Sequence, residues 1–461
     1  MKLTVKNLGA VSEAEIDLDK RLLIFTGENN TGKTYLVYTV YQLYGFTSNV
    51  YGLHPSLVSD YERILIKPFE GYEVNLLDLI SDESDYLTDF EKHISTTLKL
   101  QLADFFSAPK GAFNDAVIDF SIDKKDVEDK SILDLGVSVS TSENGILDKD
   151  RNSHLAVFDA YFDTSDENYD ELEMDITDFV ADTVFSLIKD AIFHDTYIFT
   201  AEREGINLFN KELLLFRNKA FQKLISDKKQ TNELVEFMRT RFSRYPQPIR
   251  DALNEQNNYD VIKSKTSDYA HLAKELEDTF LKGDIVLNTE GDVVFKPKSM
   301  DKPLDIHLTS STVKSLSSLI VYLRHTAKKG DSIIIDEPEL NLHPDNQRKI
   351  ARFFGRLINE GFKVLTSTHS DYIVRELNNL IMLSHGFATK KEDTQRLLKE
   401  YNYNENELVA ADKVGVYLFR VGKPVEKVVV EETGFNIATI DEEIRKLNQS
   451  SQDIYLTLFD Q

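Results

Sequence analysis

A chain of 461 residues, 41% apolar and 29% charged, exceeds one typical core, so several domains or large insertions are expected. A formal net charge of −24 excludes a surface that coats nucleic acid nonspecifically, since any phosphate contact would need a local basic patch. The absence of Cys excludes disulfides and thiolate metal sites, and no apolar run approaches the length of a membrane span, so a soluble cytoplasmic protein with no membrane partner is expected.

Met1 leads straight into an alternating strand, so no signal peptide is expected. Met1 to Lys6 and Ala14 to Leu18 alternate as half-buried strands do, with a turn at Asn7-Leu8-Gly9. Next come an apolar run from Leu22 to Phe25, the stretch Gly27-Glu28-Asn29-Asn30-Thr31-Gly32-Lys33-Thr34, and a helix-like segment from Tyr35 to Tyr44. Strand, Gly-x4-Gly-Lys-Thr and helix form the context of a phosphate-binding P-loop. Gly27 and Gly32 let the backbone curl, so that N–H groups of the loop, those of Asn29, Asn30 and Thr31 among them, surround an anion. The helix adds its positive end. Lys33 is expected on the β- and γ-phosphates of ATP, and the Thr34 hydroxyl on Mg²⁺.

The middle of the chain reads less clearly. A helix is expected from Leu87 to Phe106, and strands at Val117 to Ile122 and Val137 to Thr141, followed by a Ser142-Glu143-Asn144-Gly145 turn. From Asp159 to Asp182 there are ten Asp or Glu and no Lys or Arg. Such a run reads as a solvated loop and helix face, with a protein-docking surface as the sharper alternative. Helical spacing returns across Phe179, Val180, Val184, Leu187 and Ile188. A strand from Asp195 to Phe199 ends in Thr200-Ala201-Glu202-Arg203-Glu204-Gly205, where Arg203 faces either a phosphate or neighbouring subunit, or a structural Glu partner. Asn207 to Lys282 is helical in character, with Arg239, Arg241, Arg244 and Arg250 broken by Pro246 and Pro248. Solvated helix ends are the simpler meaning of that basic cluster, and a nucleic-acid or acidic-partner contact the other.

Ile285 to Asn288 and Val293 to Phe295 flank a Glu290-Gly291-Asp292 turn as a hairpin. Ser310 and Ser311 cap a helix marked by Val313, Leu316, Leu319, Ile320 and Leu323, and a capped N-terminus is also an anion site. The strand Ser332 to Ile335 then delivers Asp336-Glu337-Pro338 at its C-terminal end, where α/β sheets place ligand chemistry. Asp336 suits the Mg²⁺ shell, and Glu337 suits the base that deprotonates an attacking water. A further strand, Phe362 to Thr366, runs into Ser367-Thr368-His369-Ser370, placing His369 beside a γ-phosphate. Gln347 to Ile358 is an amphipathic helix presenting Ile350, Phe353, Phe354 and Leu357. In the tail, Gly415 to Arg420 and Val425 to Glu431 read as a hairpin around Gly422, and Thr439-Ile440-Asp441-Glu442 as a capping box opening a terminal helix.

Gly-Glu-Asn-Asn-Thr-Gly-Lys-Thr, Ile-Ile-Ile-Asp-Glu-Pro-Glu-Leu-Asn-Leu-His-Pro and Thr-Ser-Thr-His-Ser resemble motifs of the ABC-type ATPases related to SMC, RecF and OLD proteins. More narrowly, the chain resembles the AAA-labelled ATP-binding proteins of bacterial anti-phage systems such as Septu, PARIS and the OLD-like ATPases. The resemblance covers three or four patches. It implies an α/β fold, a P-loop NTPase of ABC/SMC-head type with an antiparallel β subdomain and helical insertions. The implied division is residues 1–45, the first core part with the P-loop; 46–194, the β subdomain and acidic insertion; and 195–206, the core strand with Ala-Glu-Arg. Residues 207–282 form the helical insertion, 283–385 the second core part, and 386–461 a C-terminal hairpin and helix.

The resemblance also implies a head-to-head homodimer or higher oligomer, in which the Ser310-Ser311 helix end meets the γ-phosphate held by the other subunit. The glycines of the strict ABC signature are missing here, with Thr312 at the candidate position. Pro338 to Pro344 is then the loop through which heads sense each other. Lys33, Glu337 and His369 form the implied catalytic set. The implied role is a nucleotide-gated sensor or scaffold in anti-phage defence. Its effector would be a separately encoded nuclease or toxin, and its trigger a phage protein or nucleic acid. An OLD-like nuclease is the alternative, since Val428-Val429-Val430-Glu431-Glu432 resembles the start of a TOPRIM domain, but no Asp-x-Asp follows. A RecF-like repair ATPase sits poorly with the net charge, and a transporter subunit poorly with the long insertions.

Overall fold

The computed structural model describes residues 1–45, 72–75, 86–123, 137–140, 145–149, 155–160, 185–210, 212 and 245–459. The chain divides into two compact units. One comprises Met1–Thr4, Leu43–Leu100 and Val117–His194, the other Val5–Gln42, Gln101–Ala116 and Asp195–Gln461. Every candidate site residue lies in the second unit.

Strands β1 (Lys2–Leu8) and β2 (Val11–Asp17) are neighbours in one sheet and bury alternate side chains, as the polar–apolar alternation predicts. The expected turn at Asn7-Leu8-Gly9 begins later, since Asn7 and Leu8 still belong to β1; Asn7 and Gly9 take positive φ angles of 53° and 57°. Strand β3 (Leu22–Gly27) is buried at every residue and runs into the loop before helix α1 (Lys33–Tyr44). Then follow β4 (Tyr72–Asn75), α2 (Tyr86–Phe105), β5 (Val117–Ser121), β6 (Val137–Ser140), β7 (Gly145–Lys149) and β8 (Leu155–Ala160). Within the first unit β4, β8, β7 and β6 form, in that order, a four-stranded antiparallel sheet. Phe90, Ile94 and Leu98 recur every fourth residue on α2 and are fully buried, with the Phe90 ring 4.8 Å from that of Phe185. Residues 161–182 of the acidic run, and Arg239, Arg241 and Arg244, lie outside the described residues.

The second unit continues with β9 (Thr196–Phe199), a helical stretch at 203–210, α3 (Gln247–Asn257) and α4 (Ala270–Leu276). Arg250 in α3 donates to the Asp104 carbonyl at 3.2 Å, a structural use of the one described member of the basic cluster. Strands β10 (Gly283–Leu287) and β11 (Val293–Pro297) make the expected hairpin, joined on its far side by β12 (Leu304–Asp305). Asn288 Oδ1 closes the turn by accepting the N–H groups of Glu290 and Asp292, and Gly291 supplies φ of 84°. The remainder is α5 (Ser311–His325), β13 (Ser332–Asp336), α6 (Pro344–Asn359), β14 (Lys363–Thr368), α7 (Asp371–Thr389), α8 (Lys391–Tyr401), β15 (Val414–Phe419), β16 (Glu426–Val428) and α9 (Ala438–Phe459).

The core sheet has the order β16-β15-β3-β14-β13-β9. Its pairs are parallel except β15–β16 at the edge. Such a sheet is covered on both faces, which explains continuous apolar runs in place of alternation. Ile333, Ile334 and Ile335 are all buried, each stabilising the fold by roughly 1.5–3 kcal/mol through area removed from water. Ile350, Phe353, Phe354 and Leu357 of α6 are buried as their spacing predicts. Buried Glu376 of α7 accepts from Arg348 Nε at 2.8 Å and Arg352 Nε at 2.5 Å, which ties α7 to α6. The topology is that of an α/β P-loop NTPase core.

The hairpin around Gly422 is made, β15 pairing antiparallel with β16, and β15 also pairs in parallel with β3 along its whole length. Two other expectations for the tail need correction. The second arm stops at Val428. Glu431 instead makes an isolated bridge to Gly434, so the TOPRIM-like Val428 to Glu432 run forms no continuous strand. The terminal helix begins at Ala438, one residue before the expected cap, and Thr439 Oγ1 is buried without a hydrogen-bond partner. The capping box is therefore not made.

Candidate functional site

The loop between β3 and α1 is shaped by its two glycines. Gly27 and Gly32 adopt φ of +129° and +93°, which side-chain-bearing residues rarely reach. Both are also crowded. A Cβ on Gly27 would lie 2.0 Å from the Phe419 carbonyl oxygen, and one on Gly32 2.5 Å from Val11 Cγ2. Strands β15 and β2 thus fix the path of the loop from either side. Asn29 and Asn30 are exposed, Asn30 with φ of 59°, which Asn tolerates. Thr31 is buried, and its hydroxyl braces the loop by donating to the Glu28 carbonyl at 2.8 Å.

Lys33 is buried, with Nζ donating to Glu28 O at 2.6 Å and Gly27 O at 3.4 Å. Burial pulls its pKa down to about 8, against the opposing charges of Glu337, Asp336, Glu339 and Glu28. The first turn of α1 has no acidic residue of its own, so its positive N-terminal end is not offset from within the helix. A buried ammonium, free helix-end N–H groups and a glycine-shaped cradle suit a polyphosphate.

β13 brings its acids to this cradle. Asp336 is 1% exposed, and burial lifts its pKa to about 6. Ser367 Oγ donates to Asp336 Oδ1, and Thr34 Oγ1 donates to Oδ2 at 3.4 Å. Among the described residues no group of three or more His, Cys, Asp or Glu is placed to hold a metal unaided. One hydroxyl and one carboxylate instead fit Mg²⁺, a cation that takes few protein oxygens and completes its shell with phosphate and water.

Glu337 follows in the left-handed region at φ 48°. A non-glycine residue there costs on the order of 1–3 kcal/mol, so surrounding groups must hold it. Its N–H donates to Ser367 Oγ at 3.0 Å. Arg203, 6% exposed, donates to the carbonyls of Asp336 at 2.8 Å, Glu337 at 2.9 Å and Thr200 at 3.1 Å. Among the described residues Arg203 has no Glu ion pair of the kind the sequence offered, and it clamps the main chain that presents both acids. Burial lowers its pKa while the neighbouring carboxylates oppose that shift.

β14 delivers His369, whose Nε2 lies 4.0 Å from Glu337 Oε1 and whose ring bonds to the Gly27 main chain. Burial and then the Lys33 charge lower its pKa to about 4, so the imidazole is neutral at pH 7. Glu339, which sequence reasoning missed, joins the two strand ends. Its Oε1 accepts from Thr368 Oγ1 at 3.0 Å and the His369 N–H at 2.5 Å, while Oε2 is buried without a partner. Burial raises its pKa. The available signal was a third acid in Asp-Glu-Pro-Glu.

Lys33, Thr34, Asp336, Glu337 and His369 therefore converge on the glycine loop. Ser310 and Ser311 do not join them within this chain. They open α5, where Ser310 Oγ accepts the Val313 N–H at 3.4 Å, and no hydrogen bond among the described residues links them to the loop.

A family model described as an AAA ATPase domain matches residues 1–374. The energy-coupling factor transporter ATP-binding protein EcfA2 of Mycoplasma mobile is 28% identical over 128 residues, 27% of this chain and 38% of that protein. EcfA2 of Spiroplasma kunkelii is 24% identical over 123 residues, 26% and 39% respectively. These matches span under two-fifths of the relatives' own length. Among solved structures, an Smc head domain with an extended coiled coil bound to the C-terminal domain of ScpA, from Pyrococcus furiosus, has a TM-score of 0.34. It is 13% identical, with 96% of this chain and 98% of that one covered. An SmcHead bound to the C-winged helix domain of ScpA has the same TM-score at 10% identity, with 94% and 98% covered.

Proposed function

Since the chain belongs to the AAA ATPase domain family, we propose that it binds ATP with Mg²⁺ at the β3–α1 loop and hydrolyses it with Glu337 as the base. The observation that carries this reading is the convergence of buried Lys33 with Asp336, Glu337 and His369 on one glycine-shaped cradle. Loop N–H groups and Lys33 hold the phosphates. Thr34 and Asp336 hold Mg²⁺, which when bound neutralises charge developing on the phosphates. Glu337 accepts the proton of a water as its oxygen bonds to the γ-phosphorus and the bridging P–O bond breaks. Neutral His369 orients the water or the γ-phosphate without adding charge. Arg203, Ser367 and Glu339 keep the strand ends in register.

In this proposal two heads sandwich nucleotide, each α5 N-terminus, with Ser310 and Ser311, facing the phosphates held by the other head. Nucleotide state then gates a separately encoded effector, such as a nuclease or toxin, in anti-phage defence. The net charge of −24 supports a protein partner over extended nucleic-acid contact. The missing strand at Val428 to Glu432 weighs against a built-in TOPRIM nuclease. The test uses purified chain with ATP, Mg²⁺ or Mn²⁺, and plasmid, linear DNA or RNA. Slow phosphate release with uncut nucleic acid is expected. Lys33→Ala and Ser311→Arg proteins, each inactive alone, should recover partial turnover when mixed. Full activity of either homomer, or metal-dependent cleavage surviving Lys33→Ala, would sink the proposal.

A further inference from the structure

Helix α9 has no buried residue along its 22 positions. Its apolar side chains nevertheless repeat regularly. Ile440, Ile444, Leu447, Ile454 and Leu458 fall at alternating intervals of three and four, with Ser451 in the one remaining position. That spacing is the seam of a two-helix coiled coil. Ile440 packs at the core margin, but Leu447, Ile454 and Leu458 are 65%, 58% and 68% exposed, so that part of the seam has no cover among the described residues. On the polar side Lys446 pairs with Glu442 at 3.1 Å and Glu443 at 2.9 Å, which supports the helix without using the seam.

We propose that α9 pairs antiparallel with α9 of a second copy of this chain, forming a contact between copies that needs no nucleotide. The seam is self-complementary in that direction. Turned end for end about residue 449, Ile440 meets Leu458 of the second copy, Ile444 meets Ile454, and Leu447 meets Ser451. Each layer then joins the two alternating seam positions, as antiparallel packing requires.

Parallel pairing is disfavoured on charge. It would stack Asp441, Glu442 and Glu443 of both copies and crowd two bodies of net charge −24 at one end. Antiparallel pairing displaces the bodies along a helix of about 33 Å, at 1.5 Å per residue. It also accounts for the far end of α9, where Ile454, Tyr455, Leu456, Leu458 and Phe459 leave little polar surface. That end would lie over Ile440 of the second copy, which packs at the margin of the core with Val428 and Val430.

The chain has no cysteine, so single-Cys variants report the pairing cleanly. Leu447→Cys and Ser451→Cys proteins, mixed without nucleotide and mildly oxidised, should give the mixed 447–451 disulfide as the main cross-linked species. Each alone should cross-link no more than an outward-facing Gln449→Cys control. Light scattering should show a nucleotide-free dimer that Leu447→Asp reduces to monomer while its circular dichroism stays unchanged. Lys33→Ala should leave that dimer intact, which separates the contact from the proposed ATP-dependent meeting of heads. A monomer without nucleotide, self-disulfides at 451 equal to the mixed product, or an unaffected Leu447→Asp dimer would each overturn the proposal.

Discussion

Replacing Arg203 by Met removes a buried guanidinium whose donated bonds end on the carbonyls of Thr200, Asp336 and Glu337. Hydrogen bonds to a charged group contribute about 1.5–3 kcal/mol each, so three set an upper bound near 9 kcal/mol. Burying the guanidinium offsets much of this, and apolar replacement of buried charge is sometimes neutral, so global stability should fall by only about 1–3 kcal/mol. The local effect is larger. Glu337 sits at φ 48° and relaxes once its carbonyl is released. A displacement of about 1 Å at a catalytic group costs on the order of 100-fold in rate. Lys33 and the glycine loop contact none of these carbonyls, so Mg²⁺-ATP affinity should change less than about threefold. Equilibrium binding, single-turnover hydrolysis and thermal melting together decide the matter. An Arg203→Met protein with wild-type turnover would refute the positioning role. One that loses ATP affinity as strongly as turnover would refute its separation from phosphate binding.

Gly27→Ala should fail to fold or melt at least several degrees lower, because its Cβ would meet the Phe419 carbonyl at 2.0 Å; melting of the purified variant checks this. Ile334→Ala should lose about 2–5 kcal/mol in urea unfolding, the usual range for a buried aliphatic truncated in a packed core. Mg²⁺-ATP affinity should be highest between about pH 6 and pH 8 and weaken on both sides. Asp336 takes up a proton below about 6, and Lys33 loses one above about 8; calorimetric titration would reveal a flat profile if these groups do not bind the nucleotide. The two perturbed groups oppose each other in stability. His369, depressed to about 4 from 6.5, makes the fold less stable as pH falls through that interval. Asp336, raised to about 6 from 3.8, makes it more stable over its own, so His369→Asn should flatten the acid-side loss seen by denaturant unfolding.

The glycine loop was legible because its requirements are local: two glycines, a lysine and a threonine at fixed spacing between a strand and a helix. Asp336 and His369 were legible as the ends of short apolar strands, since a parallel sheet covered on both faces leaves continuous apolar runs. The role of Arg203 was not legible. Its partners lie 133 and 134 residues away and depend on β9 pairing with β13, which no local pattern announces. The same holds for β15. Gly422 announced the hairpin that β15 makes with β16, but the pairing of β15 with β3 joins residues almost 400 apart in the chain. The unbroken run of buried residues from Val414 to Phe419 was the sign of a central strand. Thr439 misled because a capping box is a four-residue pattern, and the helix start at Ala438 left its hydroxyl inside the first turn.

The central claim is that one cradle both binds ATP and presents Glu337 to hydrolyse it. Its most direct test is binding and turnover measured side by side in Glu337→Gln. The amide keeps the size of the carboxylate but cannot take the proton. The account predicts Mg²⁺-ATP affinity within about threefold of wild type and turnover reduced by roughly 100-fold to 10,000-fold, the usual contribution of a general base. Turnover close to wild type in a folded Glu337→Gln protein, or loss of ATP binding equal to that of Lys33→Ala, would contradict it.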